Sequence, residues 1–175
     1  MLGALAMIAT GCTAGPAPAS QPSTRPTYHV DPRQARPDEK VLRGAAAKDG
    51  DTSFALLGLT AGQDTLVGSH IEFEAKNGQF IRLRVEITNT GRSTISFDAY
   101  RQLLVLTDGS AVAPDDATMQ TKRQPQLIDL GANVRVEFDL YYDVAPDAKA
   151  KALRAFGGPT LYDGHDEEST DIPIR

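Results

Sequence analysis

Hydrophobic and polar residues alternate along two stretches of the chain, and this alternation is typical of half-buried β-strands. Charged residues stand between the apolar ones, so each stretch predicts a strand with one apolar and one charged face. The apolar positions of residues 79–88 and 133–141 are Ile81, Leu83, Val85 and Ile87 in the first and Val134, Val136, Phe138 and Leu140 in the second. We expect both apolar rows to lie in one hydrophobic core.

An antiparallel pairing of these two strands aligns their charges and their apolar rows together. Each opposed pair contributes about 0.2–1 kcal/mol, whereas each large buried side chain contributes about 1.5–3 kcal/mol. The charges therefore select the register and the apolar rows supply the stability. The predicted charge pairs are Arg82 with Asp139, Arg84 with Glu137 and Glu86 with Arg135. The predicted apolar pairs are Ile81 with Leu140, Leu83 with Phe138, Val85 with Val136 and Ile87 with Val134.

The two arginines of this charged face allow two interpretations. Arg82 and Arg84 could form a docking patch for an anionic envelope polymer, or they could belong to a solvated face that neighbouring carboxylates neutralise. The predicted register favours the second interpretation because it places a carboxylate opposite each guanidinium.

Shorter segments complete the predicted fold. Further strands are expected at residues 52–59, 70–75, 94–97, 102–107, 126–130 and 170–174, while 149–156 fits either a short helix or a strand. Asp108-Gly109 is a hairpin signal, and a three-residue loop of Lys76, Asn77 and Gly78 would pair Phe73 with Ile81. No helical layer is available to cover a parallel sheet, so we predict an all-β antiparallel β-sandwich.

The start of the chain has the features of a secretory signal. An uncharged, apolar segment precedes Ala9-Thr10-Gly11-Cys12, which resembles the lipobox of bacterial lipoproteins, where the cysteine is lipidated. We therefore predict a signal segment at 1–12 and lipidation at Cys12, and we expect an upstream in-frame start that encodes a basic N-terminus. The alternatives are a tail with an incidental thiol and a nucleophilic Cys12, although a catalytic thiolate needs a folded, cationic environment.

A proline-rich and alanine-rich segment follows the cysteine and is predicted to be a linker over residues 13–49. Six of the eleven prolines fall between Pro16 and Pro37, a composition that buries too little apolar surface to offset chain entropy. Three arginines and one aspartate make residues 13–37 basic. Those arginines either attract anionic headgroups or, in the interpretation we favour, keep the linker soluble. The folded domain is predicted to span residues 50–175.

Composition excludes several functional classes. The net charge of −5 and the pI near 5.1 argue against a nucleic-acid partner, since that affinity depends on clustered Lys and Arg. The single cysteine cannot form an internal disulfide or a cysteine-rich zinc site. No run of about 18–20 apolar residues is present, so the sequence predicts no membrane-spanning helix.

The chain has none of the common catalytic motifs, such as a nucleophile elbow, a P-loop, a dinucleotide fingerprint or a zincin helix. Ser69 and His70 are adjacent on a predicted strand and would point to opposite faces. His29, His70 and His165 are scattered, and no cofactor is predicted. The acidic segment near the C-terminus is a calcium candidate, although a solvated acidic loop is the plainer interpretation. Its oxygen ligands would be Asp163, Asp166, Glu167, Glu168 and Asp171.

Three longer motifs carry a family resemblance. The segments NGQFIRLRVEITNTGRSTISF, LLVLTDG and LGANVRVEFDLYYDVAP resemble actinobacterial and other bacterial lipoproteins that carry an immunoglobulin-like domain of unknown function. That domain is related to an immunoprotective protein secreted by mycobacteria. The resemblance covers residues 50–175 and implies a lipid-anchored sandwich outside the cell. It implies no catalytic residues.

Three functional hypotheses follow from these observations. The first is a non-catalytic, lipid-anchored binding or scaffold module on the extracytoplasmic face of the cell membrane, with an unidentified envelope partner. The second is a carrier of a small apolar or lipid ligand between the sheets, and the third is an envelope enzyme with an unrecognised site. A filled sandwich favours the first, a deep apolar cavity the second, and a cleft with converging titratable groups the third.

Overall fold

The computed structural model describes residues 34–44, 46–68, 70–159 and 168–175, and these residues form antiparallel β-sheets packed on one core. The strands are β1 Lys40–Val41, β2 Ala47–Asp49, β3 Thr52–Gln63, β4 Thr65–Val67, β5 Glu72–Glu74, β6 Gln79–Asn89, β7 Ile95–Asp98, β8 Leu103–Leu106, β9 Ala111–Val112, β10 Leu127–Leu130, β11 Arg135–Val144, β12 Ala150–Ala155 and β13 Thr170–Pro173. A 3₁₀ turn spans Ala99–Arg101, and a helix, α1, spans Asp116–Thr121. The predicted all-β antiparallel sandwich is confirmed.

The largest sheet, called the main sheet here, has the order β1, β3, β6, β11, with β2 also paired to β3. A four-stranded sheet has the order β13, β12, β8, β9, and the pairs β10–β7 and β4–β5 are separate ribbons. Every strand pair is antiparallel. Hydrophobic side chains from these sheets share one core, which is why period-two patterning runs through most of the chain.

Three phenylalanines join the two layers of the core. Phe97 of β7 is fully buried, and its ring centroid lies 6.0 Å from that of Phe54 in β3 and 5.9 Å from that of Phe138 in β11. Both contacts are tilted, an arrangement that aromatic pairs prefer to face-to-face stacking. The β7 ring therefore packs across two strands of the main sheet and fills the interior between the layers.

The two long strands pair as predicted, but their register differs by two residues. Leu140 lies opposite Leu83 and Asp139 opposite Arg84, whereas the prediction placed Leu140 opposite Ile81. A shift of two residues keeps the side chains of both strands on their predicted faces, so the apolar rows still face the core, except for Val134, which precedes β11 and is exposed. The observed register also places Glu137 opposite Glu86, a like-charge pair that two strands alone would not favour.

The predicted shorter strands are all present at slightly different bounds. The open choice at residues 149–156 is decided in favour of a strand, β12, because it pairs with β8 on one side and β13 on the other. The Asp108-Gly109 hairpin is confirmed, with Gly109 at a φ of 91° between β8 and β9.

The predicted pairing of Phe73 with Ile81 is wrong. β5 pairs with β4, so that Phe73 lies opposite Leu66. The turn at Lys76-Asn77 is held by another element, since both backbone amides donate to the carboxylate of Asp143, at 2.8 and 3.0 Å. This interaction directs the chain away from a β5–β6 ladder.

The predicted linker of residues 13–49 extends too far toward the domain. β1 pairs with Leu59 and Gly58 of β3, and β2 pairs with the start of the same strand. Asp49 is buried, and its carboxylate accepts the amide of Gly157 at 2.6 Å. The compact unit therefore begins at Gln34, because strand pairing supplies the stability that the local composition lacks.

Alkaline pH is expected to destabilise the fold through Tyr142. Complete burial raises the pKa of this phenol well above its ordinary value of 10.0, and its hydroxyl donates to the carbonyl of Gln102 at 3.1 Å. Above pH 10 the unfolded chain ionises this tyrosine while the folded chain does not. The free energy of unfolding should therefore fall by up to about 1.4 kcal/mol per pH unit from this residue.

The measurement is urea unfolding between pH 7 and pH 11, a range that spans the ordinary tyrosine pKa of 10.0. Tyr142→Phe should lose about 0.5–1.5 kcal/mol at neutral pH with its hydrogen bond and should flatten the alkaline decline. Tyr100→Phe is the comparison: that phenol is partly buried and its pKa is raised less than that of Tyr142, so the substitution should flatten the decline less. An alkaline decline as steep in Tyr142→Phe as in the parent protein would contradict the prediction.

Candidate functional site

The face of the main sheet that points away from the core carries both distinctive surface features of the described residues. Phe80, Arg82 and Arg84 of β6 alternate with the buried apolar row and lie on this outer face. Tyr141 and Asp139 of β11 lie on the same face, opposite Arg82 and Arg84. The chain covers one part of the face with an N-terminal segment and leaves a cleft in another.

Residues 34–41, called the strap here, cross the outer face and bring charges onto it. The Oε1 atom of Glu39 lies 2.9 Å from the guanidinium of Arg84, and both side chains are almost fully buried, at 1% and 7% exposure. Arg36 lies 2.7 Å from one carboxylate oxygen of Asp139. Glu137 contacts both arginines, Arg84 at 3.2 Å and Arg36 at 3.6 Å. These five residues form the ionic cluster.

The backbone of the strap is shaped to deliver Glu39. Asp38 has a φ of 60°, a left-handed conformation that Asp tolerates better than most residues. Gly58 lies beneath the strap, and a Cβ atom there would lie 1.4 Å from Oε1 of Glu39. The glycine therefore provides the space through which the carboxylate reaches Arg84.

The observed cluster changes the interpretation of the two arginines. Arg84 is neutralised by carboxylates as expected, but it is buried under the strap rather than solvated. Arg82 is partly buried and donates to the hydroxyl of Thr60 at 2.8 Å. Burial, together with the charge of Asp139, raises the pKa of Tyr141 beside them. Carboxylates therefore occupy Arg84, whereas the partner of Arg82 is a neutral hydroxyl, and the docking interpretation of Arg82 remains a prediction.

The second feature is the outer cleft, which lies between the β4–β5 hairpin and α1. Its volume is about 220 Å³. Its floor includes Phe80, whose ring meets Phe73 edge-on at a centroid distance of 5.7 Å. The apolar part of its wall is formed by Ile71, Phe73, Phe80, Ala117 and the methyl-bearing Thr121. The cleft therefore lies outside the sandwich core.

The two inner carboxylates of the outer cleft are occupied by backbone amides. Asp115 caps α1 by accepting from the amide of Thr118 at 2.8 Å, and Asp143 accepts the amides of Lys76 and Asn77. Neither carboxylate is aligned with a histidine, cysteine or serine nucleophile among the residues that line the cleft. These two carboxylates thus hold the turn at Lys76 and the start of α1 in place.

Most residues singled out from the sequence lie outside the described part of the chain. These are Cys12, Ser69, His29 and His165, with Asp163, Asp166 and Glu167 of the calcium candidates. His70 is exposed at the tip of the β4–β5 hairpin. Asp171 is bound by Arg154 through two contacts of 2.9 and 3.0 Å, and the Arg154 guanidinium lowers the pKa of that carboxyl. Within the described ranges no three metal-ligating side chains form a group, and the calcium hypothesis remains a prediction.

The outer cleft was not predicted from the sequence, although one local signal points to its helix. Asp115 follows Pro114 and stands three residues before Thr118, an N-cap arrangement. The burial of Met119 on the opposite side of this helix fixes it against β11, where the amide of Asp115 donates to the carbonyl of Tyr141 at 2.8 Å. The helix, and therefore one wall of the cleft, had a sequence signal, but its packing partner did not.

The protein is thus an all-β domain: an antiparallel β-sandwich that carries an ionic cluster and a largely apolar cleft on the outer face of its main sheet. The chain belongs to the family described as Domain of unknown function (DUF4352), which matches residues 42–166. A solved conserved hypothetical protein from Bacillus anthracis is similar at a TM-score of 0.51 and 11% identity, covering 79% of this chain and 99% of that one. The yjhA protein from Bacillus subtilis is similar at a TM-score of 0.46 and 19% identity, covering 62% and 75%.

The likeness to the Bacillus anthracis protein, at 11% identity, concerns the fold alone. No curated protein matches the chain. In the described ranges, no helix has the length and apolar character needed to cross a bilayer. The expected relation to lipoproteins and to the mycobacterial immunoprotective protein remains a prediction.

Proposed function

We propose that the chain is a lipid-anchored, non-catalytic binding module of the bacterial cell envelope, which contacts a partner protein through the outer cleft. The lipobox-like Ala9-Thr10-Gly11-Cys12 supports the anchor and an extracytoplasmic position. The relation to actinobacterial lipoproteins and the mycobacterial immunoprotective protein, which rests on sequence resemblance, fits such a module. The observation that carries the binding role is the largely apolar outer cleft and the exposed apolar residues beside it.

Exposed hydrophobic side chains favour a protein partner. Val67 and Ile71, at either side of the hairpin tip, are 68% and 64% exposed. Large apolar side chains grouped beside a cleft mark interaction surfaces, whereas single scattered ones carry no such meaning. Ile71 extends the apolar wall of the outer cleft outward, and Val67 lies on the adjoining surface that shares Thr121 with the cleft.

The filled core disfavours a ligand carried between the sheets. Phe97 packs against rings of two main-sheet strands, and Ile81, Leu83 and Leu140 are fully buried around them. A carrier requires an interior cavity at this place. The occupied carboxylates of the outer cleft likewise disfavour an enzyme, and so the binding module is the best supported of the three hypotheses.

Photo-crosslinking on intact cells tests the binding role. A photoreactive residue in place of Ile71 should form a discrete adduct, and one in place of Leu127, which is 66% exposed on β10, should not. Ala117→Trp fills the outer cleft and should abolish the adduct, whereas Ala132→Trp at the exposed β10–β11 turn should leave it intact. Adducts of equal yield at both positions, or an adduct that survives Ala117→Trp, would refute the proposed contact surface.

The anchor is tested separately by cell fractionation. Cys12→Ser should move the protein from the membrane fraction to the soluble one. Stable attachment requires more than one buried acyl chain, and the substitution removes the residue that would carry them. Retention of Cys12→Ser in the membrane fraction would overturn the anchor and leave the test of the cleft unaffected.

A further inference from the structure

The charges around the outer cleft are predominantly acidic. Glu74, Asp115 and Asp143 contribute to its lining, and the last two keep their charge while they accept backbone amides. Lys76 is the basic residue of the lining. A surface of this sign attracts cationic groups and repels anionic ones over about one Debye length.

The nearest additional lysine is committed to another contact. The Nζ atom of Lys122 donates to the carbonyl of Val67 at 2.8 Å and lies 5.9 Å from the ring centroid of Tyr141. This contact links the end of α1 to the β4–β5 hairpin, the two walls of the outer cleft. The lysine thereby holds the two walls together, and its ammonium group contacts a carbonyl oxygen and an aromatic ring rather than the interior of the cleft.

The volume of the outer cleft limits its occupant. Pockets that enclose a complete small-molecule ligand measure about 300–1,000 Å³, and this cleft has about 220 Å³. It has room for one large side chain, with Ile71 at its edge available to contact the residues beside it. Apolar anchors in small pockets are the usual centres of protein–protein binding energy.

Resting on the proposed function, we propose that the outer cleft takes one bulky apolar side chain of a partner protein from a segment whose flanking residues are lysine or arginine. The apolar wall receives the anchor, and the net negative charge of the lining attracts the flanking cations. An anionic lipid surface has the opposite charge requirement, so the bilayer is not the occupant.

Three matched peptides test this assignment against the full chain carrying Cys12→Ser. The first is an acetylated and amidated heptapeptide with one phenylalanine between two pairs of lysines. The second replaces the lysines with glutamates, and the third replaces the phenylalanine with alanine. Binding is followed through backbone amide shifts in two-dimensional NMR spectra. The basic phenylalanine peptide should shift amides of β5 and α1. It should bind about tenfold more tightly than the glutamate peptide or the alanine peptide.

Variants and salt separate the two parts of the recognition. Ala117→Trp should abolish the shifts and Ala132→Trp should not. Glu74→Lys should weaken the basic peptide roughly three- to tenfold, while Asp129→Lys, an equal charge change on exposed β10, should leave it unchanged. Raising the ionic strength from about 0.01 M to about 0.15 M shortens the Debye length from about 30 Å to about 8 Å and should weaken binding.

Several outcomes would overturn the assignment. The acidic peptide could bind equally or more tightly, the shifts could map to β10, or phosphatidylglycerol vesicles could shift the cleft amides while the basic peptide does not. If the Ile71 adduct forms on cells and depends on the open cleft, but the acidic peptide is preferred, the proposed function stands and the partner chemistry is wrong. If no adduct forms and none of the peptides binds, both are wrong.

Discussion

Glu39→Ala is expected to lower the free energy of unfolding by about 3 kcal/mol, at the lower end of the range for breaking a buried ion pair. The substitution removes the carboxylate that lies 2.9 Å from Arg84, whose side chain is only 7% exposed. Glu137 remains at 3.2 Å and compensates part of the buried charge. Urea unfolding at neutral pH, followed by circular dichroism, measures the loss.

The matched variants distinguish a buried charge from a lost contact. Glu74→Ala, at an exposed position, should change the free energy of unfolding by no more than about 0.5 kcal/mol. Glu39→Leu combined with Arg84→Met removes both charges and should restore most of the stability, since a buried pair can often be replaced by apolar side chains at little cost. A cost for Glu39→Ala no larger than for Glu74→Ala would show that the strap does not bury its charge.

Gly58→Ala gives an independent measure of the same packing. The added methyl group would overlap Oε1 of Glu39 at 1.4 Å, and the strap would have to shift, at a cost of about 1–3 kcal/mol for overpacking. In the Glu39→Ala background the methyl group should cost much less, so the two substitutions should be non-additive. Additive costs would contradict the observed position of Glu39.

Phe97→Ala is expected to cost about 3–5 kcal/mol of unfolding free energy. Its ring is fully buried and packs between Phe54 and Phe138 of the main sheet. Truncation leaves a cavity between the two layers and removes two aromatic contacts, each worth about 0.5–1.5 kcal/mol beyond its buried area. Because the domain is marginally stable by nature, the variant should also unfold at a markedly lower temperature.

The neighbouring residue on β7 is the control for Phe97. Ser96 is exposed on the other face of the strand, and Ser96→Ala should change stability by no more than about 0.5 kcal/mol. Phe97→Leu should fall between the two because it keeps most of the buried volume. A loss below about 1 kcal/mol for Phe97→Ala would mean that the layers can collapse around the cavity.

The faces of the strands were predictable because the relevant signal is local. Alternation in residues 79–88 and 133–141 assigns each side chain to the core or to the outer face without reference to any partner. The apolar rows of β6 and β11 therefore face the core as predicted, although Val136 is only partly buried and Val134, which precedes β11, is exposed. The Asp108-Gly109 turn was predictable for a similar reason, since a short loop depends on its own backbone preferences.

The register of the same two strands was not predictable from the pair alone. Counting opposed charges gave Arg84 to Glu137, whereas Asp139 lies opposite Arg84. Glu39 arrives from the strap and contacts Arg84, while Arg36 contacts Asp139. The strap thus supplies partners for the charges of both strands, and a prediction that considers only the two strands omits them.

The sequence by itself determined the longer strands, their inward and outward faces, and the all-β class, because period two is a property of each strand alone. The short strands β1, β2 and β4 were not predicted, since they form by pairing with or beside other strands. Only the tertiary structure decided the register, the strap over Gly58 and the outer cleft between the β4–β5 hairpin and α1. Those features arise where elements distant in the chain meet, as Glu39 meets Arg84 and Asp143 meets Lys76. Such contacts depend on three-dimensional packing, which local patterning does not encode.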